Sequence, residues 1–483
     1  MKTEDIEAIQ SADATSQKLR AVSAARAWYA VTVLLIAYAF SIMDRQILTL
    51  LVGPIRHTLH VNDTQIGLLH GFTFAAFYAL MGLPIARLID RGDRRLIIAV
   101  GIALWSLATA ASGLATDYWH LLLARVVVAV GEAVLLPGAV SLIADLFPAD
   151  RRSPAMNAFG ASGSFGSGAG LIAGGLILGV FTVTPPSLPG LGLLHPWQAT
   201  FMTLGLPGIV VAALMLAVPE PRNAQAAVTG TSERHVGGER TSLEVPLSAV
   251  NGYAMENKRT MIALMLGAGF FYASVYGWAG WAPTYFVREF GWTYPQVGKM
   301  LGVQLAVVGP AGALLAGWVG GVWRRGGTPH AYLRIAVIAG LGLTVSTVGM
   351  VCVQSAHAAT VFMALGAFFA FFLFGAGPSA IQEIAPGPMR GQFAAIYTGI
   401  LSLLGAGCGP VAVGVLTDYV YRDPRAIGHS IGIVCFVFGV VACCLFRFGY
   451  RPYNDTLKCA LAWRPAQPTG ADATVARPGI AMR

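Results

Sequence analysis

The feature that most constrains this chain is the recurrence of apolar segments long enough to cross a lipid bilayer. A hydrocarbon core of about 30 Å requires a helix of about 20 apolar residues. Only 11% of the 483 residues are charged and 55% are hydrophobic, whereas a soluble domain carries about 25% charged residues. The sequence therefore predicts an all-α membrane protein. Twelve segments of spanning length are predicted at about 27–53, 64–86, 95–114, 118–145, 154–182, 197–217, 260–286, 296–321, 331–353, 357–384, 391–418 and 427–448.

A polar stretch in the middle of the chain divides these segments six plus six. It contains PEPRNAQAAVTGTSERHVGGER, which is mixed in charge and poor in large apolar side chains. Such a composition buries too little apolar surface to order a chain, so we expect a loosely ordered linker. The predicted organisation is a cytosolic tail, a six-helix bundle, a cytosolic linker, a second six-helix bundle and a cytosolic tail, at 1–26, 27–217, 218–259, 260–449 and 450–483.

The distribution of arginine predicts how the chain is oriented. Arginines cluster in connections that follow even-numbered segments, for example at 87–95, 151–152 and 324–325. The connection FTVTPPSLPGLGLLHPW, on the other side, is nearly uncharged. Because cytoplasmic loops carry the excess of Lys and Arg, we expect a multi-pass cell-membrane protein with both termini in the cytoplasm. The same rule accounts for the net charge of +9 without a nucleic-acid partner.

The two halves contain matching short patterns in the same order. Gln65-Ile66-Gly67 corresponds to Gln296-Val297-Gly298, and Arg94-Arg95 corresponds to Arg324-Arg325. A third match relates Asp145, Pro148 and Arg152 to Glu383, Pro386 and Arg390, at equal spacing. Three matches at corresponding places indicate duplication. Parallel repeats around a midplane site are one architecture of secondary transporters.

Four ionisable residues lie inside the predicted spans, where they are costly. Arg125 and Glu132 are seven residues apart, so two turns of helix place them on one face, about 10 Å apart along the axis. Asp44 and Arg45 share the depth of Arg125, and Glu132 lies deeper. Charged groups at such depth cost about 3 kcal/mol and normally face a protein interior or a watery cavity. We therefore expect them to surround one internal site.

Two groups of motifs resemble a known family. The loop GLPIARLIDRGDRR matches the signature between the second and third helices of the major facilitator superfamily, although Ala86 and Asp93 replace its two glycines. A closer resemblance, to the spinster-like branch of that superfamily, covers about 40–180 and is weak in the second half. It rests on Met43-Asp44-Arg45, Arg125, Val130-Gly131-Glu132-Ala133, Leu142-Ile143-Ala144-Asp145-Leu146-Phe147 and Ala149-Asp150-Arg151-Arg152-Ser153.

The resemblance implies twelve helices whose first and fourth members in each half line a central cavity, and a latch of charged residues on the cytoplasmic side. Asp90 is expected to pair across the two halves when that side is closed. The alternative is that these charges only set the topology. The expected gate residues are Asp90, Arg91, Arg94, Arg95, Asp145, Arg152, Glu383 and Arg390.

Asp44, Glu132 and His70 are the predicted proton-coupling residues. Burial favours a neutral carboxyl group and a nearby arginine favours an ionised one, so small changes move the proton. We expect Arg125 to exchange partners between the two acids; the alternative is a static ion pair holding two helices together. His70 could instead be a packing residue. The expected substrate-binding residues, with helix packing as the alternative role for the tyrosines, are Arg45, Arg125, Tyr272 and Tyr276.

The sequence thus predicts a monomeric secondary transporter that couples protons to an organic anion or an amphipathic lipid-like acid. A broad-specificity drug exporter is the first alternative, and a receptor or enzyme on the same fold is the second. No ATP-binding loop, zinc pattern or nucleophile–base pair is found, so neither enzymatic activity nor a cofactor or metal is expected. Substrate identity and the direction of transport are left open.

Overall fold

The computed structural model describes residues 23–190, 192–221 and 245–463. Within those residues it contains twelve helices that are long and apolar enough to cross a membrane, as predicted. Helix 1 ends at Leu59 rather than near 53, which places Asp44 close to the middle of its helix. In chain order, helices 1 to 12 span Ala24–Leu59, 63–91, Arg94–Ser112, Tyr118–Leu146, Ala149–Val183, Pro196–Leu216, Lys258–Phe290, Tyr294–Arg325, Ala331–Cys352, Ala356–Ile384, Gly387–Tyr421 and Ile427–Phe448.

The match between Gln65 and Gln296 has a structural cause. Each glutamine closes a capping box at the start of its helix, with Asn62 as the cap of helix 2 and Thr293 as the cap of helix 8. In such a box the cap side chain accepts from one backbone amide and the glutamine side chain accepts from another. The two halves therefore begin equivalent helices in the same way, as the internal repeat predicted.

Helix 4 is interrupted immediately after Glu132. Its regular hydrogen bonding stops at Glu132 and resumes at Leu135. Pro137 explains the break, because a proline inside a helix has no amide hydrogen and its ring crowds the carbonyl group four residues earlier. That carbonyl belongs to Ala133. The side chain of Glu132 thus projects from the kink.

The two bundles meet along one half of their shared seam. We call the side with the arginine-rich connections 87–95, 151–152 and 324–325 the basic face, and the other side the opposite face. Helix 2 packs on helix 11, and helix 5 packs on helix 8. A methyl group added at Gly67 would lie 2.8 Å from the Pro410 carbonyl oxygen, so only glycine permits this approach. The seam glycines Gly67 and Gly298 are the two that the repeat matched.

The same helices diverge toward the basic face. Ser402 Oγ of helix 11 donates to the Ala75 carbonyl group of helix 2, at 3.5 Å. Nearer the basic face, added methyl groups at Gly82, Gly160 and Gly399 would each meet no described atom within 4 Å. The cleft between the bundles is therefore closed on the opposite face and opens on the basic face.

Part of the linker and part of the C-terminal tail are helical. The linker helix, Leu247–Glu256, is held by buried Tyr253, whose hydroxyl donates to the Ile384 carbonyl group at 2.7 Å. The C-terminal helix, Tyr450–Ala462, docks through buried Tyr453. The expectation of a loosely ordered linker is thus wrong for residues 247–256, and residues 222–244 lie outside the described part. A two-stranded hairpin, β1 at Ser187–Leu188 and β2 at Gly192–Leu193, precedes helix 6.

Candidate functional site

A buried ion pair joins helix 1 to helix 4 in the first bundle. Arg125 Nη1 lies 3.0 Å from Asp44 Oδ2 and 3.3 Å from Oδ1, and Thr109 Oγ1 donates to Oδ1 at 2.9 Å. Asp44 and Arg125 are only 5% and 2% exposed. The Arg125 guanidinium group also lies 5.5 Å from the centre of the Phe201 ring. Both charges are therefore fully partnered inside the bundle.

A second pair, between Arg45 and Glu132, faces the cleft. Arg45 Nε and Nη2 lie 2.7 and 2.6 Å from Glu132 Oε2, and Ser41 Oγ donates to the same oxygen at 2.8 Å. Glu132 is buried, whereas the Arg45 side chain remains 33% exposed. Glu132 Oε1 is buried without a hydrogen-bond partner among the described atoms. One oxygen of this carboxylate accepts from both neighbours, and the other accepts from none of the described groups.

The pairing differs from the sequence prediction in one respect. We expected Arg125 to serve both acids, but in this conformation each acid has its own arginine. Consecutive residues of a helix project about 100° apart, so Asp44 and Arg45 reach different neighbours. The long Arg45 side chain spans the distance to Glu132. The sequence prediction compared only the depths of the residues along their helices and not the lengths of their side chains.

Aromatic side chains surround the exposed side of Arg45. Its guanidinium carbon lies 4.2 Å from the centre of the Phe74 ring and 5.3 Å from that of Tyr78. Tyr276 of the second bundle is within electrostatic reach of Arg45 and is 39% exposed, although it lies in the middle of helix 7. Arg45 and Tyr276 therefore line the cleft from opposite bundles, and their role in substrate binding stays a prediction.

Tyr272 and His70 lie in the walls rather than in the open cleft. Tyr272 is buried, with its ring 6.2 Å from Phe374 and 6.3 Å from Tyr276. His70 lies in the π-helical turn Leu68–Phe72, within the closed seam near Gly280 of helix 7. Both of its ring nitrogens are buried without a hydrogen-bond partner among the described residues. His70 therefore makes no hydrogen bond to either ion pair, although the Arg125 charge lies within electrostatic reach of its ring.

The charges on the basic face form one network in each bundle. In the first bundle, buried Arg94 lies 2.6 Å from Asp145 and also binds Glu220 and the Ser141 hydroxyl group. In the second, Arg324 lies 2.7 Å from Glu383, which accepts from the Tyr453 hydroxyl at 2.9 Å. The repeat predicted that Arg94 corresponds to Arg324 and Asp145 to Glu383. The equivalent pairs confirm that correspondence.

The other predicted gate residues bind within their own bundles or lie exposed at the basic face. Arg95 lies 3.3 Å from Asp93. Arg152 donates to the Ala144 carbonyl group at 2.6 Å, and Arg390 donates to the Ala385 carbonyl group at 3.3 Å. The cleft opens here, and a latch of these charges between the bundles stays a prediction. The remaining two, both exposed, are Asp90 and Arg91.

A seal on the opposite face was missed by the sequence analysis. Asp63, fully buried at the start of helix 2, binds Arg288 of helix 7 through two contacts of 2.6 and 2.8 Å. Asp418 of helix 11 accepts from the Thr64 amide at 2.6 Å and from the Thr64 hydroxyl at 2.7 Å. These bonds join the two bundles. The signal was available, because charged residues on a face that is otherwise poor in charge require a structural reason.

Asp63→Asn should open this seal. The change removes the carboxylate that Arg288 and Arg56 share, and leaves Arg288 with neutral acceptors only, among them the Pro424 carbonyl group. Loss of a buried charge partner costs about 2 kcal/mol or more. That energy changes a ratio of conformations by about 30-fold. Spin labels at Thr184 and Glu289 of a cysteine-free protein should report longer distances across the opposite face. Asp117→Asn, an exposed helix cap on that face, is the control, and an unchanged distance distribution in Asp63→Asn would leave the seal without a gating role.

Comparison with protein families supports the resemblance drawn from the motifs. The model for the Major Facilitator Superfamily matches residues 34–403. A crystal structure of a bacterial homolog of the human lysosomal transporter Spinster, inward-facing and unoccupied, superposes with a TM-score of 0.72 at 24% identity. The match covers 92% of this chain and 100% of that one. At this identity the match demonstrates the fold alone.

Three relatives with similar sequences are named for different functions or families. An "MFS-type efflux pump" of Mycolicibacterium smegmatis is 27% identical over 436 residues, 90% of this chain and 95% of that one. A "Probable L-galactonate transporter" of Escherichia coli is 25% identical over 433 residues, 89% and 90%. "Protein spinster homolog 1" of Rattus norvegicus is 30% identical over 283 residues, which is 56% of this chain and 48% of that one.

Proposed function

The chain belongs to the Major Facilitator Superfamily, and on that premise we propose that it couples protons to the transport of an organic anion through the central cleft. The substrate class is a small organic acid or an amphipathic lipid-like acid. Its family members and structural neighbours are transporters. The single observation that carries the proposal is the Arg45–Glu132 pair, in which a cleft-exposed arginine is neutralised by a buried carboxylate with one unpartnered oxygen.

The anion preference follows from Arg45. An arginine cannot be deprotonated in practice, so it requires an anion nearby at all times. Its planar guanidinium group suits a carboxylate or phosphate, and the Phe74 and Tyr78 rings beside it add apolar contact for the rest of a substrate. The name of the L-galactonate transporter relative agrees with an acidic cargo.

Proton coupling follows from Glu132. A proton on Oε1 would neutralise this carboxylate while Oε2 still accepts from Ser41 and Arg45. Arg45 would then lack a counter-charge and bind a substrate anion more strongly. Proton and anion thus favour each other's binding, which is the reciprocal coupling that linked transport requires. In this scheme, the Asp44–Arg125 pair holds helix 1 in the register that presents Arg45 to the cleft.

A thermal-shift screen tests the substrate class, because a ligand that binds only the folded protein raises its melting temperature. Organic acids and lysolipid acids should stabilise the purified protein at low pH, and neutral analogues of equal size should not. Arg45→Gln should abolish the shift, while Arg425→Gln, an exposed change on the opposite face, should retain it. Equal shifts with acids and neutral analogues would contradict the anion proposal.

The same screen separates the proposal from a broad-specificity drug exporter. The efflux-pump relative is the observation that supports this second function. An exporter with an apolar cleft should bind hydrophobic cations or neutral compounds and depend little on Arg45. Stabilisation by such compounds in both wild type and Arg45→Gln would favour the exporter.

The basic face is proposed to be cytoplasmic. Its arginine-rich connections fit the rule that Lys and Arg are retained on that side. Reporter fusions at Gly190 and Arg234 should therefore report the outside and the inside, respectively. If both fusions reported the same compartment, the twelve-crossing orientation would be wrong.

A further inference from the structure

A groove on the lipid-facing side of the second bundle has the features of a second binding site, remote from the central cleft. It is a shallow, open groove of about 580 Å³ near the basic-face ends of helices 9 and 12. Val337, Cys443, Cys444 and Phe448 provide apolar and thiol surface, and Arg447 and Arg451 provide charge. The groove thus combines a wall suited to an acyl chain with two cations at one end.

A third arginine converges on the same end of the groove. The Arg447 guanidinium carbon lies 4.9 Å from the centre of the Tyr450 ring. The His330 ring packs against the same tyrosine, with 4.7 Å between the ring centres. Arg334 Nε donates to His330 Nε2 at 3.1 Å. Tyr450 and His330 therefore hold Arg447 and Arg334 close together at the end of helix 12 and the start of helix 9.

The positive charge of this cluster is not neutralised by nearby acids. None of the ion pairs found between described residues includes Arg334, Arg447 or Arg451. Burial and the neighbouring Arg334 lower the pKa of His330, so that this ring is a neutral acceptor near pH 7. The cluster is therefore a set of three exposed cations, two that line the groove and one held beside it through His330.

We propose that this groove binds an anionic phospholipid of the leaflet at the basic face, with its phosphate between Arg447, Arg451 and Arg334 and an acyl chain along helices 9 and 12. A groove on this surface lies against the bilayer, so lipid is the ligand present at the highest local concentration. Basic pockets between membrane helices on the cytoplasmic side are known to select anionic head groups. Free phosphate would use the arginines but not the apolar wall.

Lipid retention measured by native mass spectrometry tests the site without any assay of transport. Delipidated protein is mixed with phosphatidylglycerol or phosphatidylcholine of identical acyl chains. Wild type should retain phosphatidylglycerol at least about five-fold better, the change expected from a single arginine contact of about 1 kcal/mol. Arg447→Gln with Arg451→Gln should remove that preference. Lys258→Gln with Arg259→Gln, an equal charge change at exposed basic-face residues outside the groove, should preserve it.

Two further measurements separate the groove from surface charge. Cys444→Trp, which fills the groove without changing charge, should reduce phosphatidylglycerol retention, and excess glycerol phosphate should not compete with the lipid. Equal retention of both lipids by wild type, equal loss in the two double variants, full retention by Cys444→Trp or competition by glycerol phosphate would each overturn the proposal. Only variants whose melting temperatures match that of wild type are compared. None of the substituted residues contacts the central ion pairs.

Discussion

Arg125→Ala is expected to abolish transport and to lower the free energy of unfolding by about 3–5 kcal/mol, the cost of leaving a buried charge without its partner. The stranded group is Asp44, which is 5% exposed and would keep only the Thr109 hydroxyl and its solvent-poor surroundings. The effect should exceed that of any surface arginine, because exposed ion pairs contribute about 1 kcal/mol or less. Chemical denaturation of the detergent-solubilised protein measures the loss of stability, and uptake by proteoliposomes measures the loss of transport.

A double variant distinguishes structure from function at this pair. Asp44→Asn combined with Arg125→Leu removes both charges, so most of the lost stability should return while transport does not. Recovery of transport in the double variant would reduce the pair to a static link between helices 1 and 4. A stability loss below about 1 kcal/mol in Arg125→Ala would contradict the burial argument itself.

Glu132→Gln is expected to make anion binding strong and independent of pH. The neutral amide reproduces the protonated carboxyl group, so Arg45 stays available to the substrate whatever the proton concentration. In wild type, binding should strengthen as the pH falls across a measured window from about pH 8 to about pH 5, because protonation of Glu132 frees Arg45 for the anion. The expected change in wild-type affinity over that window is about tenfold, corresponding to about 1.4 kcal/mol of coupling. Isothermal titration at several pH values gives the comparison.

Ser41→Ala is the matched control for that change. It removes one donor to Glu132 Oε2 but leaves the carboxyl group able to titrate. Its binding should therefore keep a pH dependence, displaced along the pH axis. A flat profile in both variants would indicate that the hydrogen bond, rather than the proton, governs the affinity of Arg45.

The helices and the internal repeat were predictable because they depend on local sequence. Apolar length sets the spans, and Gln65 and Gln296 mark equivalent capping boxes. The correspondence of Arg94 with Arg324 and of Asp145 with Glu383 also followed from the repeat, and the structure adds that each arginine pairs with the acid of its own bundle. These features require no knowledge of how the bundles pack against each other.

Partner choice at the central site was not predictable in the same way. Depth along a helix gave the level of Asp44, Arg45 and Arg125, but the rotation of each helix decides which side chains meet. The seal between Asp63 and Arg288 joins residues 225 positions apart in different bundles, so isolated charges can mark the two positions but no local pattern gives their pairing. The linker helix is short, and the buried contact of Tyr253 with Ile384 stabilises it more than its own sequence does.

The central claim is that protonation of Glu132 couples a proton to the anion held by Arg45. Its most direct test is uptake, by proteoliposomes with and without an imposed pH gradient, of the acid that the thermal-shift screen identifies. Wild type should accumulate the acid only with the gradient, and Glu132→Gln should exchange it across the membrane yet lose at least about nine-tenths of the gradient-driven accumulation. If Glu132→Gln and Asp44→Asn both accumulate the acid as wild type does, the proton takes another route and these carboxylates are structural.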